Sequence, residues 1–116
     1  MTTSVDKAKS SVLSREQIIE LLRKHLPEWR SKYAVQRIAL FGSFARGTAT
    51  QGSDVDLLVE FSRPVGLEFI GVLIEMEHLL GRKVDVVTRE TLRRGQENPR
   101  KRHIAESIER DMIYVE

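Results

Sequence analysis

Cysteine is absent from the chain. That rules out disulfides and thiolate metal sites and fits a reducing compartment, so the expected localisation is cytoplasmic. Long apolar runs are missing too: FIGVLI, the longest candidate, falls far short of a membrane span. The opening residues MTTSVDKAKSSV lack an apolar stretch of the kind that marks a secretory signal, so the chain is read as soluble, with no membrane partner. Charge of one sign is not in excess, with 19 basic residues against 17 acidic and a net charge of +2. No global argument for nucleic-acid binding follows. Basic residues do gather at Arg82-Lys83, Arg93-Arg94 and Arg100-Lys101-Arg102. No stacking aromatics or RNA-binding motif accompany them, so they are read as solvated helix surface and nucleic acid is not an expected direct partner. Internal repeats and low-complexity tracts are absent as well.

At 116 residues the chain is expected to form one domain with one core. A separate substrate domain has no room, so part of the substrate-binding surface is expected from elsewhere. Residues 1–13 are polar and aperiodic and read as a flexible N-terminal arm, with the folded domain over 14–116. Ser14 and Gln17 make a capping box that opens a helix, and Ile18, Ile19, Leu22, Leu26 and Trp29 form its apolar stripe. Pro27 is expected to shorten or bend the last turn. Val35–Phe41 reads as a strand ended by Gly42, then a short helix over Ser43–Arg46 and a turn-rich loop over Thr48–Ser53. Asp54–Phe61 is the second strand, with Val55, Leu57, Val59 and Phe61 on one face and Asp54 and Asp56 on the other.

An amphipathic helix over Gly66–Leu80 follows, with Leu67, Ile70, Leu73, Ile74 and Glu77 along one stripe and Gly81 closing it. Lys83–Thr88 is a third strand, with Val84 and Val86 on one face and Asp85 on the other. Thr88 caps a short helix, and Asn98-Pro99 begins the last one. Ile104, Ile108 and Met112 form that helix's seam, and Ile113-Tyr114-Val115 adds a short strand. His25, His78 and His103 have no ligand partner at suitable spacing and are expected on the surface. Trp29, Tyr33 and Tyr114 are expected to be packing groups.

Asp54 and Asp56 stand about 6.6 Å apart along one strand face, and Asp85 lies on a neighbouring candidate strand between valines. Left alone, three carboxylates on one face would repel one another and raise at least one pKa. A hard divalent cation removes that penalty: magnesium takes oxygen ligands at about 2.0–2.1 Å and leaves room for phosphate oxygens. Two such ions about 3.5–4 Å apart can clamp an in-line phosphoryl displacement. Gly42-Ser43 supplies a complementary feature, a sharp backbone turn followed by a hydroxyl and amide groups that can hold an anion. Arg46, one turn on, adds a charge-assisted phosphate contact or is a plain surface arginine. Taken singly, Ser43 also fits a simple helix cap, Asp54 a turn cap, Asp56 an exposed strand residue, and Asp85 a partner of Arg82 or Lys83.

Taken together, GSFARGTATQGSDVDLLVEF and the later Val84-Asp85-Val86 resemble the signature of the DNA polymerase β-like nucleotidyltransferase superfamily. That signature is Gly-Ser, ten residues, Asp-x-Asp, and a later aspartate between apolar residues. Nearly the whole chain, from the Ser14 helix to Tyr114-Val115, resembles the minimal nucleotidyltransferases that act as antitoxins beside HEPN-domain toxins. The resemblance implies an α+β nucleotidyltransferase fold, a small mixed central β-sheet flanked by helices. It implies transfer of AMP from ATP, with magnesium (two ions, or manganese), to a hydroxyl, a tyrosine on the HEPN toxin. Carried over, Asp54, Asp56 and Asp85 are the catalytic and metal-binding residues, and Gly42, Ser43 and Arg46 bind the nucleotide. The alternatives are a non-catalytic antitoxin that neutralises by contact, and transfer to a small molecule. Base preference, the number of AMP units and any homo-oligomer stay open.

Overall fold

A computed structural model describes residues 13–116 of the chain. The expected arm over residues 1–13 lies outside these except for Leu13, which is half-buried against the core. The order of elements is α1 (Arg15–Tyr33), β1 (Val35–Phe41), α2 (Gly42–Arg46), β2 (Val55–Phe61), α3 (Leu67–Leu80), β3 (Val84–Thr88), α4 (Arg89–Glu97), α5 (Arg102–Asp111) and β4 (Ile113–Tyr114). The strands form one mixed sheet in the order β3-β2-β1-β4, as expected of the fold class. β1 runs antiparallel to β2 and β4, while β2 and β3 are parallel, with α3 as the crossover that a parallel pair requires.

Two cores sit on the two sheet faces. On one, Ile38, Leu40, Val55, Leu57, Val59 and Val84 meet the buried stripe of α1 and Val72, Met76 and Leu80 of α3. On the other, Ala39, Phe41 and Leu58 meet Leu92 of α4 and Ala105 of α5. Alternation along β2 therefore sends Leu57 one way and Asp56, Leu58 and Glu60 the other. The pairing of β1 with β2 carries a bulge: Val35 pairs with Phe61, but Arg37 pairs with Glu60. Both exposed residues of the step, Gln36 and Arg37, lie between the buried Val35 and Ile38.

Ser14 and Gln17 make the expected capping box on α1. Pro27 does not end that helix, which runs on to Tyr33. What lies beyond the proline explains why: Trp29 is fully buried, and the last turn is tied to α3 through Glu75. Trp29 Nε1 donates to Glu75 Oε1 at 2.9 Å, Lys32 Nζ donates to Oε2 at 2.9 Å, and the Tyr33 hydroxyl donates to Oε2. His25 is half-buried rather than on the surface, its ring centroid 5.5 Å from that of Trp29.

Three more expectations need correction. Of the stripe expected on α3, Leu73 packs against the core, but Leu67, Ile70 and Ile74 are exposed, and Val72, Met76 and Leu80 are the buried residues. This helix is apolar almost all round, so spacing alone offers two stripes, and the Glu75 anchor decides between them. Asn98-Pro99 does not start the last helix. Asn98 Oδ1 accepts from the Arg100 amide at 2.9 Å and stabilises a turn, and α5 begins at Arg102. Of its expected seam Ile108 and Met112 pack against the second core, but the buried contact is Ala105, close to Gly95 of α4, and Ile104 is exposed.

The hydrogen bond from Tyr33, then those from Lys32 and Trp29, hold the Glu75 carboxyl down at about 2, against an ordinary 4.5. A depressed folded-state pKa stabilises above the unfolded value and loses that contribution as pH falls through the folded value. Glu75→Gln should therefore be less stable at neutral pH by about 1–2 kcal/mol, a charge-assisted hydrogen bond discounted for solvent exposure. The gap between variant and wild type should close as pH falls from about 4.5 to about 2. Denaturant melts across that range measure it; a gap independent of pH would mean that Glu75 acts by packing alone.

Candidate active site

The end of β1 and the start of β2 meet where Phe41 pairs with Asp56. Immediately past Phe41 the chain turns at Gly42, whose φ of +77° lies in the left-handed region that glycine adopts without penalty. Space imposes the same choice. A Cβ built on Gly42 would stand 2.1 Å from Asp56 Oδ2, so that carboxylate rests directly on the glycine backbone. Ser43 occupies the first turn of α2, and no side chain caps that helix start. The carboxylate and the first turn of α2 thus converge on one point.

The second acid arrives by register. Asp56 pairs with Asp85 across the parallel β2–β3 ladder, where neighbouring strands lie about 4.8 Å apart. Asp54 sits just before β2 rather than inside it, half-buried, on the loop that leads in from α2. Burial, then the charges of Asp85 and Asp54, push the Asp56 carboxyl up, and Arg46 partly offsets them. The sequence-based expectation of mutual repulsion thus falls on Asp56. Among the described residues no three Asp, Glu, His or Cys side chains form a ready-made metal cage. The donor set is nonetheless all oxygen and all of one charge, which suits magnesium or manganese whose remaining ligands come from phosphate oxygens. Asp54, Asp56 and Asp85 are the residues that would hold it.

Arg46 is half-exposed and pairs with Asp111 of α5 at 2.8 Å. Sequence reasoning missed Asp111, because nothing in its spacing links it to α2. Between them, Phe41, Gly42, Arg46, Ile104, Ser107 and Asp111 line a recess of about 290 Å³ that opens beside Asp56's glycine seat. His78 and His103 are exposed, as expected.

At the other end of the same sheet face lies a group that sequence reasoning also missed. Arg89 Nη2 donates to Glu60 Oε2 at 2.9 Å and to the Tyr114 hydroxyl at 2.6 Å, and Arg37 Nη2 donates to Glu60 at 3.0 Å. Burial raises the Glu60 pKa, but Arg89 and Arg37 outweigh it and hold the carboxyl below its ordinary value. Among the described residues Glu60 is thus held by two arginine ion pairs, whereas neither Asp56 nor Asp85 makes one. That contrast sets a paired acid and two candidate functional ones on a single face.

Comparison with known proteins gives a consistent picture. A family model described as a nucleotidyltransferase domain matches residues 22–115. The protein adenylyltransferase MntA of Thermococcus cleftensis is 38% identical over 106 residues, covering 90% of this chain and 99% of that one. A Methanocaldococcus jannaschii protein with a proposed protein adenylyltransferase activity is 42% identical over 102 residues, covering 85% of this chain and 95% of its own. Among solved structures, a proposed minimal nucleotidyltransferase matches with a TM-score of 0.62 at 30% identity, over 89% of this chain and 97% of that one. A chain from a crystal structure of the toxin–antitoxin pair MntA–HpeT matches with a TM-score of 0.57 over 90% of this chain and 73% of its own. At 20% identity it speaks for the fold alone.

Gly42→Ala should displace the Asp56 carboxylate and strain the turn. Gly47 is the control, since its φ is +83° but a Cβ there meets nothing within 4 Å. Both alanine variants should lose about 1–2 kcal/mol of stability for the left-handed backbone. Only Gly42→Ala should also weaken binding of ATP with magnesium, by about tenfold or more, as expected of a forced side-chain shift. Calorimetric titration of both variants checks this; equal nucleotide affinity in the two would place Asp56 outside the site.

Proposed function

This chain is a member of the nucleotidyltransferase-domain family, and from that premise we propose that it transfers AMP from ATP to a tyrosine hydroxyl of a HEPN-type toxin, silencing it. The observation that carries the reading is the seat of Asp56 on Gly42 with Asp85 in register beside it. Phosphate grip and acid pair meet there at one point. The similarity to proteins named protein adenylyltransferases supports the same acceptor class.

In this reading Gly42 and Ser43 hold the β- and γ-phosphates through the uncapped first turn of α2. Arg46 is shared between Asp111 and those phosphates. Magnesium, held by Asp54, Asp56 and Asp85, supplies neutralisation of the phosphate charge when bound. Asp85 is exposed on β3, at the sheet edge, where an acceptor from another protein can reach it. Its carboxylate orients the acceptor hydroxyl and takes its proton. The hydroxyl oxygen bonds to the α-phosphorus, the bond from that phosphorus to the bridging α–β oxygen breaks, and pyrophosphate leaves. Low Asp85 burial suits a base that must be met from solvent.

A second reading, neutralisation by contact alone, has one observation in its favour. Leu67, Ile70 and Ile74 present an apolar stripe on α3, exposed at 87%, 51% and 60%. Stripes of this kind mark interaction surfaces more often than bare solvent.

Asp85→Asn distinguishes the two. ATP binding should persist, and transfer should fall by about 10²–10⁴-fold, the contribution typical of positioned acid–base help. Intact-mass spectrometry of the partner after incubation with ATP and magnesium reads it as AMP units gained. A variant that neutralises the partner as well as wild type does, with AMP on neither sample, would establish contact as the mechanism. Ser43→Ala should weaken ATP binding by about 0.5–1.5 kcal/mol, one neutral hydrogen bond, with little change in melting. Unchanged ATP affinity with a much lower melting temperature would make Ser43 a helix cap.

A further inference from the structure

The parts of the site come from three separate stretches: α2 with Ser43, the lead-in to β2 with Asp54, and β3 with Asp85. Nothing in the β-ladder alone ties the loop over residues 48–54 to the other two. Arg82 does. It lies in the turn between α3 and β3, half-buried, three residues ahead of Asp85. Its Nη1 donates to the carbonyl oxygens of Gln51 and Ser53 at 3.0 and 2.8 Å. Its guanidinium carbon stands 5.2 Å from the ring centroid of Phe44, which is buried in α2 beside Ser43. One planar cation thus touches two of the stretches and is joined by the chain itself to the third, β3, which begins two residues on. The neighbouring backbone reinforces the link, since the Val55 amide donates to the Lys83 carbonyl at 3.0 Å.

We propose that Arg82 is a positioning residue for the transfer reaction: it clamps the turn that delivers Asp54 onto both the phosphate helix and the strand that carries Asp85. This rests on the nucleotidyltransferase reading above. The chemistry of arginine suits the task. A guanidinium serves two carbonyls and still offers a flat face to an aromatic ring, which a lysine ammonium cannot reproduce. Ser53 and Thr50 close the same turn, the Thr50 amide donating to Ser53 Oγ at 2.9 Å and the Ser53 amide donating to the Thr50 carbonyl at 3.0 Å. The turn is therefore compact, and Arg82 holds it as a unit. Its loss would let Asp54 and Ser43 drift relative to Asp85, and small misplacements of reacting groups lower rates by as much as about 100-fold.

The test uses Arg82→Ala and Arg82→Lys with two readouts. In the transfer assay Arg82→Ala should lose about 10- to 100-fold in kcat with KM for ATP changed less than about threefold. Arg82→Lys should recover only part of that loss, because it can donate to the carbonyls but cannot stack. Amide exchange should rise about tenfold or more over residues 50–55 in Arg82→Ala and stay unchanged in α1. A kcat within twofold of wild type, a lysine variant with full activity, or unchanged exchange over 50–55 would each overturn the proposal. Exchange that rises equally throughout the chain would show a general stability role and overturn it too. An inactive wild type would sink the functional reading, not this one, and the exchange result would then decide whether Arg82 clamps the turn.

Discussion

The half-buried carboxylate of Asp56, set opposite Asp85, is the constraint on which the candidate site depends. A parallel ladder sets two carboxylates directly opposite each other, and burial of Asp56 sharpens the conflict. A fold under selection for stability alone would place a cation between them, as it does at Glu60, where Arg37 and Arg89 converge. Among the described residues the protein cation acting on Asp56 is Arg46, itself engaged by Asp111. The unbalanced charge is stored at the site rather than removed. In the proposed reaction its counterpart is a hard cation carried by a polyphosphate, so that the electrostatic defect and the affinity for substrate would be one and the same feature.

The division of the sheet keeps that defect tolerable. One face is sealed by α1 and α3 and holds the larger core, including Trp29, Ile38, Leu40 and Leu57 at zero exposure. The other face carries charge at both ends and only a small apolar centre around Leu58 and Leu92. The larger core therefore lies on the first face, and the candidate site on the second. Glu75 belongs to the first face. It fastens the two helices of that layer through three donors, on the sheet face opposite Asp56.

Most of the architecture was legible because the chain's local signals agree with its fold. The capping box at Ser14, the alternation through Val55–Phe61, the glycine after Leu80 and the cap at Thr88 each match what the structure shows. The convergence of Gly42 with Asp56 and of Asp56 with Asp85 was also readable, since strand alternation and motif spacing determine faces. What escaped was whatever depends on tertiary choice. The outward face of α3 could not be told from the inward one in a helix with apolar residues on both. Ile104 looked like core until Ala105 met Gly95. Asn98 resembled a helix cap because its side chain does cap, but it caps a turn. Asp111 and Arg82 act on residues more than twenty-five positions away, and no local periodicity reports such partners.

The bulge at the start of β1 bears on how this sequence can change over time. Because two residues of β1 are spanned by one step of β2 between Val35 and Arg37, the pleat is shifted by one position from there onward. By that shift Val35 and Ile38, three positions apart, both enter the larger core. Removing Gln36 would close the bulge into regular pairing, with Val35 still opposite Phe61 and Arg37 opposite Glu60, so every later side chain of β1 would keep its face. A gap of one residue is thus absorbed at Gln36, whereas the same gap between Ile38 and Phe41 would turn core side chains to the wrong face. Length can vary at the bulge, while Arg37 beside it stays bound to its charge by Glu60.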